Sequence, residues 1–158
     1  MTINYRPLDR NESNIYRSIR LESLKEFPDA FSATYEETSR IEKLSMEYSI
    51  ENGTPEKFVF GAFDNSKLIG ISTFVKDENG DGNIYQMYIQ KKYQGQNIGF
   101  GLLDNILKEA KKRFGEVTVS LEVSITNSSA VNLYKKAGFT IEASSHGNNT
   151  LVMTNRKI

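Results

Sequence analysis

The stretch from Ile84 to Phe139 constrains this chain more than any other. An alternating apolar run, Ile84-Tyr85-Gln86-Met87-Tyr88-Ile89, gives way after a short turn to apolar residues at helical spacing, Leu102, Leu103, Ile106, Leu107, Ala110 and Phe114. A second apolar run, Val117-Thr118-Val119-Ser120-Leu121-Glu122-Val123, follows closely. Strand, turn, helix and strand in that order are most simply a parallel strand pair with a helical crossover. Such a unit aims the helix N-terminus at the carboxyl end of the first strand, so the turn Tyr93-Gln94-Gly95-Gln96-Asn97-Ile98-Gly99 gathers free N–H groups and the positive end of the helix dipole. That combination is a natural cradle for phosphate.

The remaining chain supplies partners for this unit. Ile3-Asn4-Tyr5-Arg6 alternates and stops at Pro7, and Asn11-Glu12-Ser13-Asn14 offers N-cap candidates for a helix carrying Ile15, Ile19 and Leu24 that ends near Phe27-Pro28. Thr34-Tyr35-Glu36-Glu37 has capping-box spacing and predicts a second helix over Glu36 to Ile50, stopped by Asn52-Gly53-Thr54-Pro55. Phe58–Phe63 and Leu68–Val75 then form a meander with the Ile84 strand. The loop Asp77 to Gly82 lacks the frame and terminal Glu of a calcium loop and is expected to be a polar hairpin turn. Asn127-Ser128-Ser129 caps a short helix closed by Gly138, and Phe139–Ala143 and Thr150–Thr154 make a final hairpin. No repeat or linker divides residues 1–158, so a single α/β domain is expected, a mixed and largely antiparallel sheet of about seven strands flanked by about four helices.

Composition narrows the chemistry. Lys plus Arg and Asp plus Glu each number 20, which gives no basic surface for nucleic acid and no polybasic membrane anchor. With no cysteine there is no thiolate nucleophile, no thiolate metal site and no disulfide. His146 stands alone among Ser145, Gly147 and Asn148, so no metal site is expected. Met1 leads straight into Thr2-Ile3-Asn4-Tyr5-Arg6 without a signal-peptide pattern, and no apolar run could span a bilayer; the expected location is cytoplasmic.

Two familiar phosphate cradles fit the turn badly. No lysine follows Gly99 or Gly101 as a Walker A loop demands, and Gly95, Gly99 and Gly101 are not spaced as a dinucleotide fingerprint. The turn instead resembles motif A of the GNAT superfamily of N-acetyltransferases, Gln/Arg-x-x-Gly-x-Gly/Ala. Tyr93-Gln94-Gly95 before it and Leu102-Leu103 after it set the register as Gln94-x-x-Asn97-x-Gly99, with Asn97 in place of the first glycine. Asn is the non-glycine residue best suited to left-handed backbone space. A second match, Gln96-x-x-Gly99-x-Gly101, satisfies the pattern but shifts the landmarks. Leu121-Glu122-Val123, Asn127, Ala130, Leu133-Tyr134 and Gly138-Phe139 resemble motif B of the same superfamily. A tight turn and close helix packing are the competing explanation of the glycines.

The resemblance implies transfer of an acetyl group from acetyl coenzyme A to a primary amine by direct attack in a ternary complex. A different acyl coenzyme A, or an acyl-sensing protein without catalysis, is the alternative. It implies that Gln94, Gly95, Gln96, Asn97, Ile98, Gly99 and Phe100 hold the cofactor pyrophosphate, that Asn127 and Ala130 flank the pantetheine arm, and that Met87-Tyr88-Ile89 offers a main-chain N–H to the thioester oxygen. Tyr134 would protonate the departing thiolate. Many members place a glutamate on the strand before motif A, but Ile84 to Gln90 has no carboxylate, and Gln86 stands near that place. Glu122, twelve residues before Tyr134, resembles the base of ribosomal-protein N-terminal acetyltransferases. An ordinary solvated residue is the other reading of Glu122, and a packing role that of Tyr134. Phe27 through Glu37, with Ser144 through Asn149, map to the acceptor cleft, where Phe31, Tyr35, Glu36 and Glu37 would offer an apolar wall with negative charge that suits a small-molecule or peptide amine. A monomer or homodimer is expected, without nucleic acid, membrane or metal.

Overall fold

The computed structural model describes residues 2–144 and 149–156. Its strands are β1 (Ile3–Pro7), β2 (Lys57–Asp64), β3 (Lys67–Lys76), β4 (Gly82–Ile89), β5 (Val119–Ser124), β6 (Thr140–Ser144) and β7 (Thr150–Asn155). They form one seven-stranded sheet in the order β1-β2-β3-β4-β5-β7-β6. Every neighbouring pair is antiparallel except β4 and β5. The helices are α1 (Ser13–Glu26), α2 (Tyr35–Ser39), α3 (Ser45–Asn52), α4 (Ile98–Phe114) and α5 (Ser128–Lys136). No helix among the described residues is long and apolar enough to cross a membrane.

The crossover helix forms as its spacing predicts. Leu102, Leu103, Ile106 and Ala110 of α4 are fully buried and meet Phe60 and Phe74 on one side of the sheet, with Val119 and Met153 further along. Each such leucine or isoleucine contributes about 2 kcal/mol from apolar area removed from water. The opposite face packs Tyr16 and Ile19 of α1 and Ile50 of α3 on Val59, Phe63, Ile71 and Tyr88.

The single helix expected over Glu36 to Ile50 is instead two, α2 and α3, which raises the helix count from the expected four to five among the described residues. Thr34 caps the first as its spacing implies, its Oγ1 accepting the Glu37 N–H at 3.2 Å. The chain then leaves the helix, and Leu44 is extended at ψ 152°. Arg17 of α1 stabilises the break. It donates to the carbonyls of Ser39 and Ile41 at 3.3 and 2.7 Å and to Glu47 Oε2 at 3.0 Å, while the Glu47 carboxylate accepts the Leu44 N–H at 2.6 Å and starts α3.

Two irregularities in β4 shape the site. Ile71 pairs with Tyr88 and Thr73 with Tyr85, so Gln86 and Met87 together oppose Ser72 alone, which is a β-bulge. Gln86 takes up the strain at φ 57°, and its side-chain oxygen accepts from Tyr16 Oη at 2.8 Å and Thr73 Oγ1 at 3.1 Å. The second irregularity is the brevity of the parallel ladder, in which only Gly82 with Val119 and Asn83 with Ser120 pair. Beyond those residues the carboxyl halves of β4 and β5 part.

Candidate functional site

Into that parting opens a cavity of about 590 Å³. Met87, Tyr88 and Ile89 from β4 form one wall, and Asn127, at the end of the loop after β5, with Ser129, Ala130, Leu133 and Tyr134 of α5, forms the other. Gln94, Gly95, Asn97, Ile98, Gly99 and Phe100 close one end, with Phe27, Ala30 and Phe31 from beyond α1 also in the lining. No Asp, Glu, Lys or Arg is among the lining residues.

At the turn, Gly95 has φ 78° and Asn97 φ 63°, both left-handed, and Asn97 immediately precedes α4. Its side chain makes no capping hydrogen bond, so its contribution there is the backbone conformation. The first N–H of the segment to find a backbone acceptor is that of Gly101, on Asn97 O at 3.1 Å. Those of Gly95 through Phe100 have no partner among the described residues. They present an array of donors at the positive end of a 17-residue helix, the arrangement that binds anions. A Cβ on Gly99 would meet only Leu133 at 3.4 Å and Met87 at 3.7 Å, ordinary contacts, so packing does not demand glycine there. Gly101 differs, because a Cβ would collide with the Tyr5 hydroxyl of β1. Packing against the sheet accounts for that glycine. Lys92 lies over the Tyr93 ring and Lys136 over the Phe100 ring, at 5.7 and 4.7 Å, which adds positive charge beside the turn.

Tyr134 is 8% exposed, its ring edge-on to Phe139 at 6.1 Å, and its hydroxyl has no hydrogen-bond partner among the described residues. Burial pushes its phenol up to about 12, so it carries its proton throughout the physiological range. Asn127 caps α5 by accepting the Ala130 N–H at 3.1 Å and so fixes the helix that carries Tyr134.

Other residues singled out in the sequence fall elsewhere. Glu122 is exposed, alternates with the buried Leu121 and Val123, and lies outside the lining. Gln96 is exposed, its amide donating to Lys92 O at 3.5 Å. Tyr35 and Glu36 also lie outside the lining; Lys25 Nζ sits 5.7 Å from the Tyr35 ring centroid. Phe31 does line the cavity, and the guanidinium of the buried Arg20 packs 4.7 Å from its ring centroid. His146 and part of the closing hairpin, residues 145–148, lie outside the described residues. Phe27, from the stretch mapped to the acceptor cleft, Tyr93 of the turn and Leu133 of the motif B resemblance also join the lining, as does Ser129, which the sequence offered as part of the α5 cap.

Residues 18–139 match the family model described as Acetyltransferase (GNAT) family. The chain is 36% identical over 74 residues to an N-alpha-acetyltransferase of Sulfurisphaera tokodaii, a match over 47% of this chain and 42% of that protein. It is 33% identical over 82 residues to the [ribosomal protein bS18]-alanine N-acetyltransferase of Escherichia coli, over 51% and 53% of the two chains. It thus spans about half the length of these curated relatives. Among solved structures, the PaiA N-acetyltransferase of Thermoplasma acidophilum in complex with coenzyme A aligns over 99% of both chains, at a TM-score of 0.79 and 25% identity. A GNAT-family acetyltransferase of Streptococcus pneumoniae, 20% identical, shares the fold at a TM-score of 0.78 over 99% of this chain and 100% of the other.

Proposed function

Because the chain belongs to the acetyltransferase (GNAT) family, we propose that it moves an acetyl group from acetyl coenzyme A to the α-amine of a peptide or amino acid. The observation that carries this reading is the cavity itself. One end holds the unpartnered amides of Gly95 through Phe100, suited to a diphosphate, and its wall holds the protonated and unpaired hydroxyl of Tyr134.

The diphosphate accepts hydrogen bonds from the amides while the acyl end lies between β4 and α5. A main-chain N–H within Met87-Tyr88-Ile89, beside the bulge, donates to the thioester oxygen as charge gathers there. The neutral amine attacks the carbonyl carbon, the carbon–sulfur bond breaks, and Tyr134 gives its proton to the thiolate. The attacking nitrogen's remaining surplus proton restores the Tyr134 phenol. Direct attack fits a chain without cysteine.

An α-amine is favoured over a polyamine because the cavity lining has no carboxylate to hold a second ammonium. The names of the two sequence relatives support the same choice. An α-amine is neutral about once in ten molecules at pH 7, whereas a lysine-type amine is neutral about once in several thousand. The test measures acetyl coenzyme A binding by calorimetry and then thiol release with a short alanine-initiated peptide, a free amino acid and spermidine. Binding with release on the peptide or amino acid is expected. No binding, or release on spermidine alone, refutes the reading.

A further inference from the structure

Resting on that reading, we propose that the acceptor ammonium is deprotonated through Tyr88 to Glu22, making the α1 carboxylate the base of the reaction and Tyr88 its relay. The geometry joins two cavities. Tyr88 lines the large one, where the acyl group would lie, and its hydroxyl donates to Glu22 Oε2 at 2.6 Å. The other carboxylate oxygen accepts from Gln90 Nε2 at 3.0 Å. Glu22, Gln90, Ser18 and Lys67 line a second cavity, of about 270 Å³. Tyr88 thus links the large cavity, through its hydroxyl, to a carboxylate that lines the second and is held by two hydrogen bonds.

Three features suit this role. No lysine or arginine lies within ion-pair distance of Glu22 among the described residues, so no cation is committed to its charge. The charged neighbours are Glu26, one turn further along α1 and felt at Tyr88, and Lys67 across the second cavity. The Phe27 ring stands edge-on to Tyr88 at 5.9 Å and also lines the large cavity, which adds apolar surface beside the relay. Finally, burial first, and then the Glu22 hydrogen bond and the charges of Glu22 and Glu26, hold the Tyr88 phenol well above its ordinary range. Such a phenol does not work as a free tyrosinate. It passes protons only when one arrives as another leaves.

The step balances accordingly. The ammonium N–H proton moves to Tyr88 Oη while the Tyr88 hydroxyl proton moves to Glu22 Oε2. The neutral amine then attacks, and Glu22 later gives the proton to water in the second cavity. Tyr88 touches the acceptor; Glu22 acts through it.

Steady-state kinetics of E22Q, Y88F, the double variant and E122Q, with acetyl coenzyme A and an alanine-initiated peptide from pH 6 to 9.5, test the relay. E22Q keeps the size and the hydrogen-bonding oxygen of the side chain and removes only its basicity. We expect kcat/KM of E22Q and Y88F to fall about 10²-fold below the amine pKa and to recover as the peptide becomes neutral on its own. The double variant should be no worse than the poorer single one, acetyl coenzyme A affinity should not change, and E22D should regain part of the loss. A wild-type pH profile in E22Q overturns the relay even if Y88F fails to fold. So does a profile shifted by E122Q alone. Wild-type enzyme that binds acetyl coenzyme A but acetylates no α-amine overturns the underlying reading, and the relay with it.

Discussion

Replacing Asn97 isolates the backbone's share in the anion cradle. Asn97 is exposed, makes no capping bond, and holds φ 63°, ψ 13° at the entrance to α4. A left-handed conformation costs an ordinary L-residue roughly 1–2 kcal/mol, and Asn tolerates it better than Ala. N97A should therefore destabilise the fold by about 1 kcal/mol, and a chain of this size would lose roughly 2–4 °C in Tm. N97G removes the steric penalty and loses chain entropy instead, so it should stay close to wild type. If the alanine loop relaxes out of the left-handed region, binding must restore it, and the apparent Kd for coenzyme A should rise by at most about fivefold. Differential scanning calorimetry and isothermal titration on the three proteins measure both effects. N97A with unchanged Tm would refute the strain argument. N97G losing as much as N97A would show that the side chain, rather than the backbone, matters.

Y134F should keep coenzyme A affinity and lose about 10²–10⁴-fold in kcat; unchanged turnover in a stopped-flow thiol assay removes Tyr134 from the chemistry. G101A forces a methyl group against the Tyr5 ring and should lower the unfolding free energy measured in urea by about 1–3 kcal/mol, even though alanine is the better helix former; Y5F in the same chain should recover part of it. The carboxyl of Glu12 is held below the usual range, first by hydrogen bonds from Arg6 at 2.8 and 2.9 Å and then by the Asp9 N–H at 2.7 Å. Its folded value is depressed, so its stabilisation is full above the unfolded value of about 4.3 and fades as pH falls through the folded one. The stability difference between wild type and E12Q should be greatest near neutrality and shrink below about pH 4 in chemical denaturation.

The crossover unit was legible because its cues are local. Leu102, Leu103, Ile106 and Ala110 declare a helix face, and Gly95 and Asn97 declare left-handed turns, without reference to anything distant. What stayed hidden depends on remote partners. The break between α2 and α3 is held by Arg17, more than twenty residues away in sequence, and nothing in the 40–44 segment announces it. The bulge at Gln86 exists only relative to Ser72 on β3, so an alternating run of residues cannot reveal it. The hydrogen bond from Tyr88 to Glu22 is hidden for the same reason, since it joins residues 66 apart in the chain.

The two-rung junction of β4 and β5 creates an edge in the middle of a sheet. Past Asn83 and Ser120 the facing main-chain groups of both strands are left as they would be at a rim, yet flanking strands and helices keep another polypeptide from docking there edge to edge. A slender guest with amides spaced along its length finds in that slot the pairing positions a missing strand would use, and filling it would suture the two halves of the sheet. Amide hydrogen exchange in Leu121 through Val123 should then slow on ligand addition, while that of β2, far from the slot, stays as it was.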